Sequence, residues 1–537
     1  MTDIDLKAQR HWWDGSLIYH IYIRSFKDGN GDGLGDIIGA HEMLPYLNWL
    51  GVGGIWLSPS MPSPDRDWGY DVADYKGVHP SIGTMEELER FISTAAELGI
   101  HVLLDLVPNH TSDQHAWFIE SKGNPKSKYR DYYVWAKGKG PNQPPNNWID
   151  ATGSSAWTFD EASGEYYLHN FLKSQPDLNW WNPQIHREMD EIVQFWFAKG
   201  VAGFRIDVAH GLYKDKDLRD DPIAPPEDTV NERFNLIEKY SKNQPEVHDV
   251  YRRWRNLAES YSPPRLLLGE TWVDGLEGLA KFYGKNDELQ MAFNFLFTFS
   301  KFDASSLRKS IAETLRHLPE GSTPVWTASN HDISRFPTRW AKGDAKKIRV
   351  ALTILATLPG TLVIYYGDEL GFGDEAVPPK MMRDEMTAGI PGTRFERDSA
   401  RLPMSWNSSA NRGFSDGDSA PWLPYRANDY QDVASQMANR NSILHYAREL
   451  FALRKTAYDF RREHFALLES PPDVLYYRTG RSYVASNLSD ATIIAHCDPN
   501  SIVLHSLDNT SWEVQSDTIQ LAGWESVIST QELRFTF

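Results

Sequence analysis

Short, strongly apolar segments recur along the first two thirds of the chain, and stretches with helical spacing separate them. There are eight such segments, at 17–22, 54–57, 102–105, 203–207, 266–270, 291–294, 324–328 and 361–366. Continuous apolar runs are typical of parallel strands that are covered on both faces. Eight such strands alternating with helices predict an α/β fold, a (β/α)8 or TIM barrel.

Two of the intervening stretches carry clear helix signals. In residues 84–98 the apolar positions recur at helical spacing, and Thr84 and Glu87 are placed as an N-terminal capping box. Residues 186–199 show a similar pattern that stops at Gly200, a residue typical of helix ends. Both stretches predict helices that cover the barrel.

Two segments interrupt this alternation. Residues 106–174 follow the third strand and are rich in Pro, Asn, Gly, Ser and aromatic residues, and this length predicts an inserted domain rather than a loop. Residues 367–440 follow the eighth strand and predict an extended loop region. After residue 455, short alternating runs predict a C-terminal antiparallel β-sandwich domain. The predicted division is therefore 1–105 and 175–455 for the barrel, 106–174 for the insertion and 456–537 for the last domain.

Composition narrows the classes of partner. The chain has 55 Lys and Arg against 73 Asp and Glu, a net charge of −18, which argues against nucleic acids and acidic membranes. The single cysteine, Cys497, cannot form an intramolecular disulfide. Residues 1–5 are acidic and lack the apolar core of a signal peptide, and no apolar run reaches the length of a membrane span. We therefore expect a cytoplasmic protein without a membrane partner; the sequence does not indicate its oligomeric state.

Charged and polar residues cluster at the ends of the apolar runs, where the active sites of such barrels form. One carboxylate at a strand end often only caps a helix, but four carboxylates and two histidines at one rim predict a site. They are Asp105, His110, Asp207, Glu270, His331 and Asp332, the last being the third acid beside Asp207 and Glu270.

Paired carboxyl groups indicate glycoside cleavage. In a retaining enzyme they lie ~5–5.5 Å apart, one attacking the anomeric carbon and the other first donating a proton and then activating water. Arg205 precedes Asp207 by two residues on the same strand, so its charge is expected to hold Asp207 ionised. A third carboxylate would hydrogen-bond the hydroxyl groups of the sugar.

Four sequence motifs then resemble those of the α-amylase superfamily, in the same order. Residues 105–110 (DLVPNH) resemble its first motif, 203–210 (GFRIDVAH) the nucleophile motif, 269–271 (GET) the acid/base motif and 329–332 (SNHD) the motif of the third acid. This resemblance, which runs from about residue 12 to the end of the chain, implies that Asp207 is the nucleophile, Glu270 the acid/base and Asp332 the stabiliser of the transition state.

Further segments resemble the α-glucosidase and oligo-1,6-glucosidase branch of that superfamily. Residues 166–169 (YYLH) and 175–179 (QPDLN) resemble its marker, 67–70 (DWGY) the stretch that grips the terminal glucose, and 401–406 (RLPMSW) a late stretch that adds an arginine. The usual pattern is not followed at Leu402, directly after the arginine, or at Asn407, directly after the tryptophan. The resemblance implies an exo-acting retaining α-glucosidase for short substrates, with transglucosylation as a side reaction. The implied substrate-binding residues are Asp67, Tyr70, His110, Arg205, Val208, His331 and Arg401.

The choice of linkage rests on Val208, the residue after the nucleophile. In the resembled branch a Val there tends to accompany cleavage of α-1,6 bonds, and a Thr or Ala cleavage of α-1,4 bonds. The alternative is that Val208 is an ordinary barrel residue, because residues 209–212 differ from the usual oligo-1,6-glucosidase sequence. The sequence leaves the linkage open.

A loop at 28–36 (DGNGDGLGD) places side-chain oxygens at alternate positions, as Ca²⁺-binding loops do. A true EF-hand is excluded because Gly39 occupies the twelfth position and the loop follows a strand. The same loop in the resembled branch implies a structural Ca²⁺ or Mg²⁺ held by Asp28, Asn30, Asp32, Asp36 and the Leu34 carbonyl. The alternative is a glycine-rich turn whose side chains cap its own backbone. No organic cofactor is expected.

Two other functions compete with hydrolysis. The same scaffold supports sugar isomerases and transglucosidases of the trehalose or isomaltulose synthase type, which pass the glucosyl group to a sugar instead of water. A non-catalytic relative that serves as a binding or transporter subunit would lack a carboxylate or carry an N-terminal membrane helix, and this chain retains all three acids. A serine hydrolase is disfavoured because no Gly-x-Ser-x-Gly elbow occurs.

Overall fold

Eight parallel strands form one sheet that nearly closes into a barrel, as predicted. The computed structural model describes residues 11–140, 143–225, 235–386, 396–427, 432–456, 464–507 and 517–535. Residues 1–5, on which the absence of a signal peptide was predicted, lie outside these ranges. Within them, no helix combines the length and the apolar character needed to cross a membrane.

The eight strands follow the chain order around the barrel, with the eighth hydrogen-bonded to both the seventh and the first. They are Leu17–Ile21, Gly54–Leu57, His101–Leu106, Gly203–Ile206, Leu266–Gly269, Met291–Ala292, Val325–Trp326 and Thr361–Tyr365. The sixth and seventh are shorter than predicted. The sixth ends early because Asn294 turns the chain into the next helix by accepting a hydrogen bond from the Phe297 N–H.

Helices lie between the strands. The main ones are Ile37–Glu42, Leu44–Leu50, Met85–Glu97, Pro183–Ala198, Val247–Glu259, Gly275–Lys281, Ala304–His317, Ala345–Thr357, Val433–Ala438 and Ile443–Thr456. The capping box between Thr84 and Glu87 forms as predicted. The helix expected at 186–199 begins three residues earlier, at Pro183, because the Asn182 side chain caps it.

Alternation along the strands explains the continuous apolar runs. Ile18, Trp56 and Leu103 join a cluster built from strand residues inside the barrel, whereas Tyr19 and Leu104 pack outward against the helices. Both faces are therefore buried. The site must form at the rim, since side chains fill the barrel interior.

The segment after the third strand carries its own antiparallel sheet, with Glu165–Leu168 between Trp135–Ala136 and Trp157–Asp160. Two isolated bridges, His110 to Asp177 and Tyr133 to Leu178, fasten it to the barrel rim. The insertion therefore forms one wall beside the site.

The C-terminal region forms two antiparallel sheets, as predicted. One contains Phe465–Leu467, Val474–Thr479, Ser482–Asn487, Ser526–Ser529 and Ile502–His505, and the other Thr518–Leu521, Ile493–His496 and Arg534–Phe535. Val474 and Tyr476 pack toward the second sheet, while Leu475 and Tyr477 pack toward the barrel core. The strand 474–479 therefore joins two hydrophobic cores.

Candidate active site

The three predicted catalytic carboxylates lie at the carboxyl ends of the barrel strands. Asp207 and Glu270 are the first residues after the fourth and fifth strands, and Asp332 follows the seventh. Asp207 and Glu270 are buried, with 6% and 5% of their surface exposed, whereas the Asp332 side chain is one quarter exposed. The fold therefore brings together acids that are 125 positions apart in the chain, from Asp207 to Asp332.

A single guanidinium joins the buried acids. Nη1 of Arg205 lies 2.9 Å from Oδ1 of Asp105 and 2.8 Å from Oδ1 of Asp207, and its Nη2 lies 2.7 Å from Oε2 of Glu270. The contact predicted between Arg205 and Asp207 is present. One buried cation thus faces three carboxyl groups, which leaves an excess of negative charge for a substrate to meet.

The protonation of the pair differs from the sequence expectation. Burial raises the pKa of Asp207 well above its usual range; Arg205 opposes this shift, and Glu270 and Asp105 add to it. Arg205 acts on Asp207 in the expected direction, but its attraction is smaller than the cost of desolvation, so the net shift of the pKa is upward. Asp207 and Glu270 are in hydrogen-bonding contact, and this contact contributes to the raised pKa of Asp207.

Two further donors hold Glu270. The backbone N–H of Val208 donates to its Oε2 across 3.2 Å, and the indole N–H of Trp272 donates to its Oε1 across 3.0 Å. Trp272 is 43% exposed, and its ring stacks on Phe295 with the centroids 3.8 Å apart. This aromatic pair forms an exposed wall beside Glu270.

Asp332 lies between two arginines. Its Oδ1 is 3.0 Å from Nη1 of Arg397 and 2.9 Å from Nη2 of Arg401. Burial alone would raise the pKa of Asp332, but the two guanidinium groups hold it below its usual value. The two arginines therefore favour the ionised form of Asp332.

The predicted grip residues lie on one side of the site and contact one another's neighbours. Asp67 accepts from Nη2 of Arg397 at 2.8 Å and from the amide of Gln175, the first residue of the predicted branch marker, at 3.1 Å. Tyr70 donates to Asp105 at 2.9 Å and stacks on the ring of His331.

His110 lies in the same wall, where its Nε2 is 3.0 Å from the Tyr70 carbonyl and burial lowers its pKa. The predicted substrate-binding residues thus belong to one connected group of contacts at this site.

Several buried polar atoms around this site lack a hydrogen-bond partner within the described part of the chain. They include Nη1 of Arg401, the hydroxyl of Tyr22 and Nδ1 of His331. An unpaired buried polar atom costs roughly 1–3 kcal/mol, so a polar ligand with several hydroxyl groups would stabilise this arrangement.

Sequence reasoning missed Arg397 and Trp272. Arg397 stands four positions before Arg401, at the start of the segment 397–400, and nothing in the local pattern marks it as a partner of Asp67. Trp272 directly follows the acid/base motif, and this adjacency was the available signal in the sequence. Only the structure shows that the side chain is exposed.

The loop at 28–36 is organised by its own side chains. Asp28 accepts from the N–H groups of Gly31 and Gly33, and Asp36 accepts from those of Gly29 and Asn30. Burial raises the pKa of Asp36 to about 6, and the neighbouring Asp28 charge contributes to the shift.

Over the described ranges, no three His, Cys, Asp or Glu side chains form a group able to hold a metal. A cation in the loop would therefore also need Asn30 and the Leu34 carbonyl. This oxygen-only donor set suits Ca²⁺ or Mg²⁺.

Known proteins are similar to this chain along most of its length. The family described as "Alpha amylase, catalytic domain" matches residues 20–463, so the chain belongs to the α-amylase family of glycoside hydrolases. A probable alpha-glucosidase of Rhizobium meliloti (strain 1021) is 38% identical over 466 residues, 84% of each chain. The oligo-1,6-glucosidase of Parageobacillus thermoglucosidasius is 36% identical over 484 residues, 83% of this chain and 84% of that protein. The predicted glucosidase branch is thereby confirmed.

Solved structures show the same fold over nearly the whole chain. An alpha-glucosyl transfer enzyme, XgtA, superposes with a TM-score of 0.89 at 33% identity, covering 97% of this chain and all of that one. The isomaltulose synthase of Klebsiella sp. LX3 superposes with a TM-score of 0.88 at 28% identity, covering 98% of this chain and all of that one.

Proposed function

We propose that this protein is an exo-acting, retaining α-glucosidase that removes terminal α-linked glucose from short oligosaccharides or α-glucosides. The observation that carries the proposal is the pair Asp207 and Glu270, buried together and bridged by Arg205. A retaining mechanism needs one ionised and one protonated carboxyl on opposite sides of the scissile bond. We therefore assign one proton to this buried pair, which provides both.

The reaction proceeds in two displacements. In the first, Asp207 attacks the anomeric carbon while Glu270 transfers its proton to the glycosidic oxygen, which leaves as an alcohol. The proton of the pair must therefore lie on Glu270 before the bond breaks, and the positive charge that then develops on the sugar ring stabilises ionised Asp207. In the second, Glu270 takes a proton from water, the water oxygen attacks the same carbon, and the bond to Asp207 breaks.

The charged groups on one side of the site support exo-action. Arg397 ties Asp67 to Asp332, so the far wall consists of charged groups that match the hydroxyl groups of one sugar ring. Asp332, held ionised, would strengthen its hydrogen bonds to the sugar as the ring distorts. Arg401 and His331 carry unpaired atoms for the same hydroxyl groups.

The leaving-group side is open and aromatic, which supports transfer of glucose to an acceptor as a side reaction. The exposed Trp272 and its partner Phe295 offer a flat surface for an acceptor ring. The resemblance to an alpha-glucosyl transfer enzyme and to an isomaltulose synthase keeps an isomerase as the second candidate.

We also propose that the loop at 28–36 binds a structural Ca²⁺ or Mg²⁺. Asp28 and Asp36 are buried close enough for their charges to repel, and a cation coordinated by Asp28, Asn30, Asp32, Asp36 and the Leu34 carbonyl would offset that repulsion. The chemistry at Asp207 needs no Lewis acid.

A substrate panel with identified products tests the function. Maltose, isomaltose, kojibiose, nigerose, sucrose, trehalose and panose are each incubated at low and high concentration. We expect free glucose as the main product at low concentration, with NMR showing α-glucose released first. The relative rates on isomaltose and maltose show whether the enzyme prefers α-1,6 or α-1,4 bonds, the choice assigned to Val208. Disaccharide isomers as the main product would favour the isomerase, and β-glucose released first would refute retention.

A further inference from the structure

The residue after the nucleophile has an unusual backbone. Val208 has φ = +44°, in the left-handed region that a β-branched side chain rarely adopts. This conformation points its N–H at Oε2 of Glu270, 3.2 Å away. The neighbouring N–H of Ala209 donates to the Glu270 backbone carbonyl at 2.9 Å. The first two residues of the turn are thus hydrogen-bonded to Glu270, one to its side chain and the other to its backbone carbonyl.

The turn closes at Gly211, whose N–H donates to the Val208 carbonyl at 2.8 Å. A Cβ at Gly211 would lie 2.7 Å from Cγ1 of Val208, closer than real Cβ contacts allow. It would also lie 3.1 Å from Oδ1 of Asn109, where a shift of a few tenths of an ångström suffices. Because Cγ1 is on a short branched side chain, Val208 itself would have to move.

The turn is also tied to its surroundings. The Tyr251 hydroxyl donates to the Ala209 carbonyl, and the buried Lys214 ammonium donates to Asn109 at 2.8 Å and pairs with Asp177 at 2.6 Å. A displaced Val208 therefore cannot be accommodated by moving the whole turn.

We propose that the turn 208–211 is a positioning element for the acid/base step. The strained backbone of Val208 aims its N–H at Glu270, and Gly211 permits this conformation because it has no side chain. Gly211 thereby also sets where the Val208 side chain stands beside the leaving group. The inference rests on the proposed function, since it assigns the turn to the proton transfer by Glu270.

Substrates with different leaving groups separate this role from a general structural one. A disaccharide needs its leaving oxygen protonated, whereas 4-nitrophenyl α-glucoside has a leaving group that departs with little acid assistance. Acid catalysis contributes about 10²- to 10⁴-fold. We expect Gly211→Ala to lower kcat/KM for the best disaccharide about 30- to 100-fold, but for the aryl glucoside less than about fivefold.

A double variant tests the contact itself. In Gly211→Ala/Val208→Ala the clashing Cγ1 is gone, so we expect at least about tenfold recovery of disaccharide activity relative to Gly211→Ala alone. Val208→Ala alone keeps the N–H but also removes a side chain beside the leaving group, so its own change in disaccharide activity is measured as the reference for the double variant. Gly278→Ala is the matched control, because its Cβ would meet Val273 at a tolerable 3.3 Å in the helix Gly275–Lys281.

Three results would overturn the proposal: an equal loss on both substrates in Gly211→Ala, a loss no larger than in Gly278→Ala, or no recovery in the double variant. Failure of the proposed function is recognised separately. If the unmodified protein hydrolyses none of the glucosides, that function falls. The melting temperatures of the unmodified protein, Gly211→Ala, Val208→Ala and the double variant then decide whether Gly211 positions the Val208 side chain. Gly211→Ala should lower Tm, and the added Val208→Ala change should restore part of the loss.

Discussion

Nη2 of Arg397 lies 2.8 Å from Oδ1 of Asp67, although 330 positions separate the two residues. The same guanidinium donates to Asp332 at 3.0 Å and to Asp384. Its side chain is only 12% exposed, so solvent screens these contacts little. One arginine therefore couples the proposed grip on the terminal sugar to the proposed third catalytic acid.

Replacing Arg397 by Met should strongly weaken recognition of the terminal glucose. Removing one partner of a buried charge network leaves the other charges uncompensated, at a cost of about 2–5 kcal/mol. We expect kcat/KM to fall about 10²- to 10³-fold on all active substrates, and Arg397→Lys to recover only part of this because an ammonium cannot span three carboxylates. Steady-state kinetics measures both.

The matched control is Arg66→Met. Arg66 is the neighbour of Asp67 and pairs with Glu385 at 3.3 Å, but both side chains are about half exposed. Such surface pairs contribute about 0–1 kcal/mol, so activity should change less than about fivefold. Equal losses in both variants would contradict the role given to Arg397.

The two catalytic carboxyls should respond differently to truncation. Asp207→Ala is expected to abolish turnover of disaccharides and of 4-nitrophenyl α-glucoside, because both need the nucleophile. Glu270→Ala should retain the first displacement on the aryl glucoside, and added azide should then accelerate turnover and give α-glucosyl azide, identified by NMR. Azide-dependent β-glucosyl azide from Glu270→Ala would reverse the two assignments.

Stability should depend on pH through Asp368. Burial raises the pKa of this carboxyl to about 7, with Arg335 opposing the shift. The folded protein then keeps a proton that the unfolded chain releases above its usual value near 4, so stability falls as pH rises from about 4 to about 7.

Asp368→Asn should flatten this dependence and stabilise the protein above pH 7, by roughly 1–3 kcal/mol. Melting curves between pH 5 and 8 measure it for both proteins. A steeper pH dependence in the variant, or a lower Tm at pH 8, would show that the charge of Asp368 is stabilising instead.

Metal removal tests the loop at 28–36. If the loop binds Ca²⁺ or Mg²⁺, chelation should lower Tm, and adding either ion back should restore it. At an assay temperature well below Tm, kcat of the chelated protein should stay unchanged. Asp28→Asn should remove the response to metal, because the amide lacks the charge. An unchanged Tm after chelation would leave the loop as a self-capped turn.

Local patterns in the sequence determined the framework of the protein. The eight apolar runs predicted the barrel because burial on both strand faces leaves a continuous apolar signal. The contact of Arg205 with Asp207 followed from the two-residue period of a strand, and the capping box of Thr84 from the geometry of one helical turn. These features depend only on neighbours within a few positions.

The tertiary structure decided the rest, because it depends on which distant groups meet and how deeply they are buried. Arg397 reaches Asp67 only once the barrel has closed, and no spacing along the chain encodes that approach. The raised pKa of Asp207 is a sum of desolvation and several charges that only the folded site assembles. The left-handed backbone of Val208 is likewise imposed by its contact with Glu270, against the local preference of a β-branched residue.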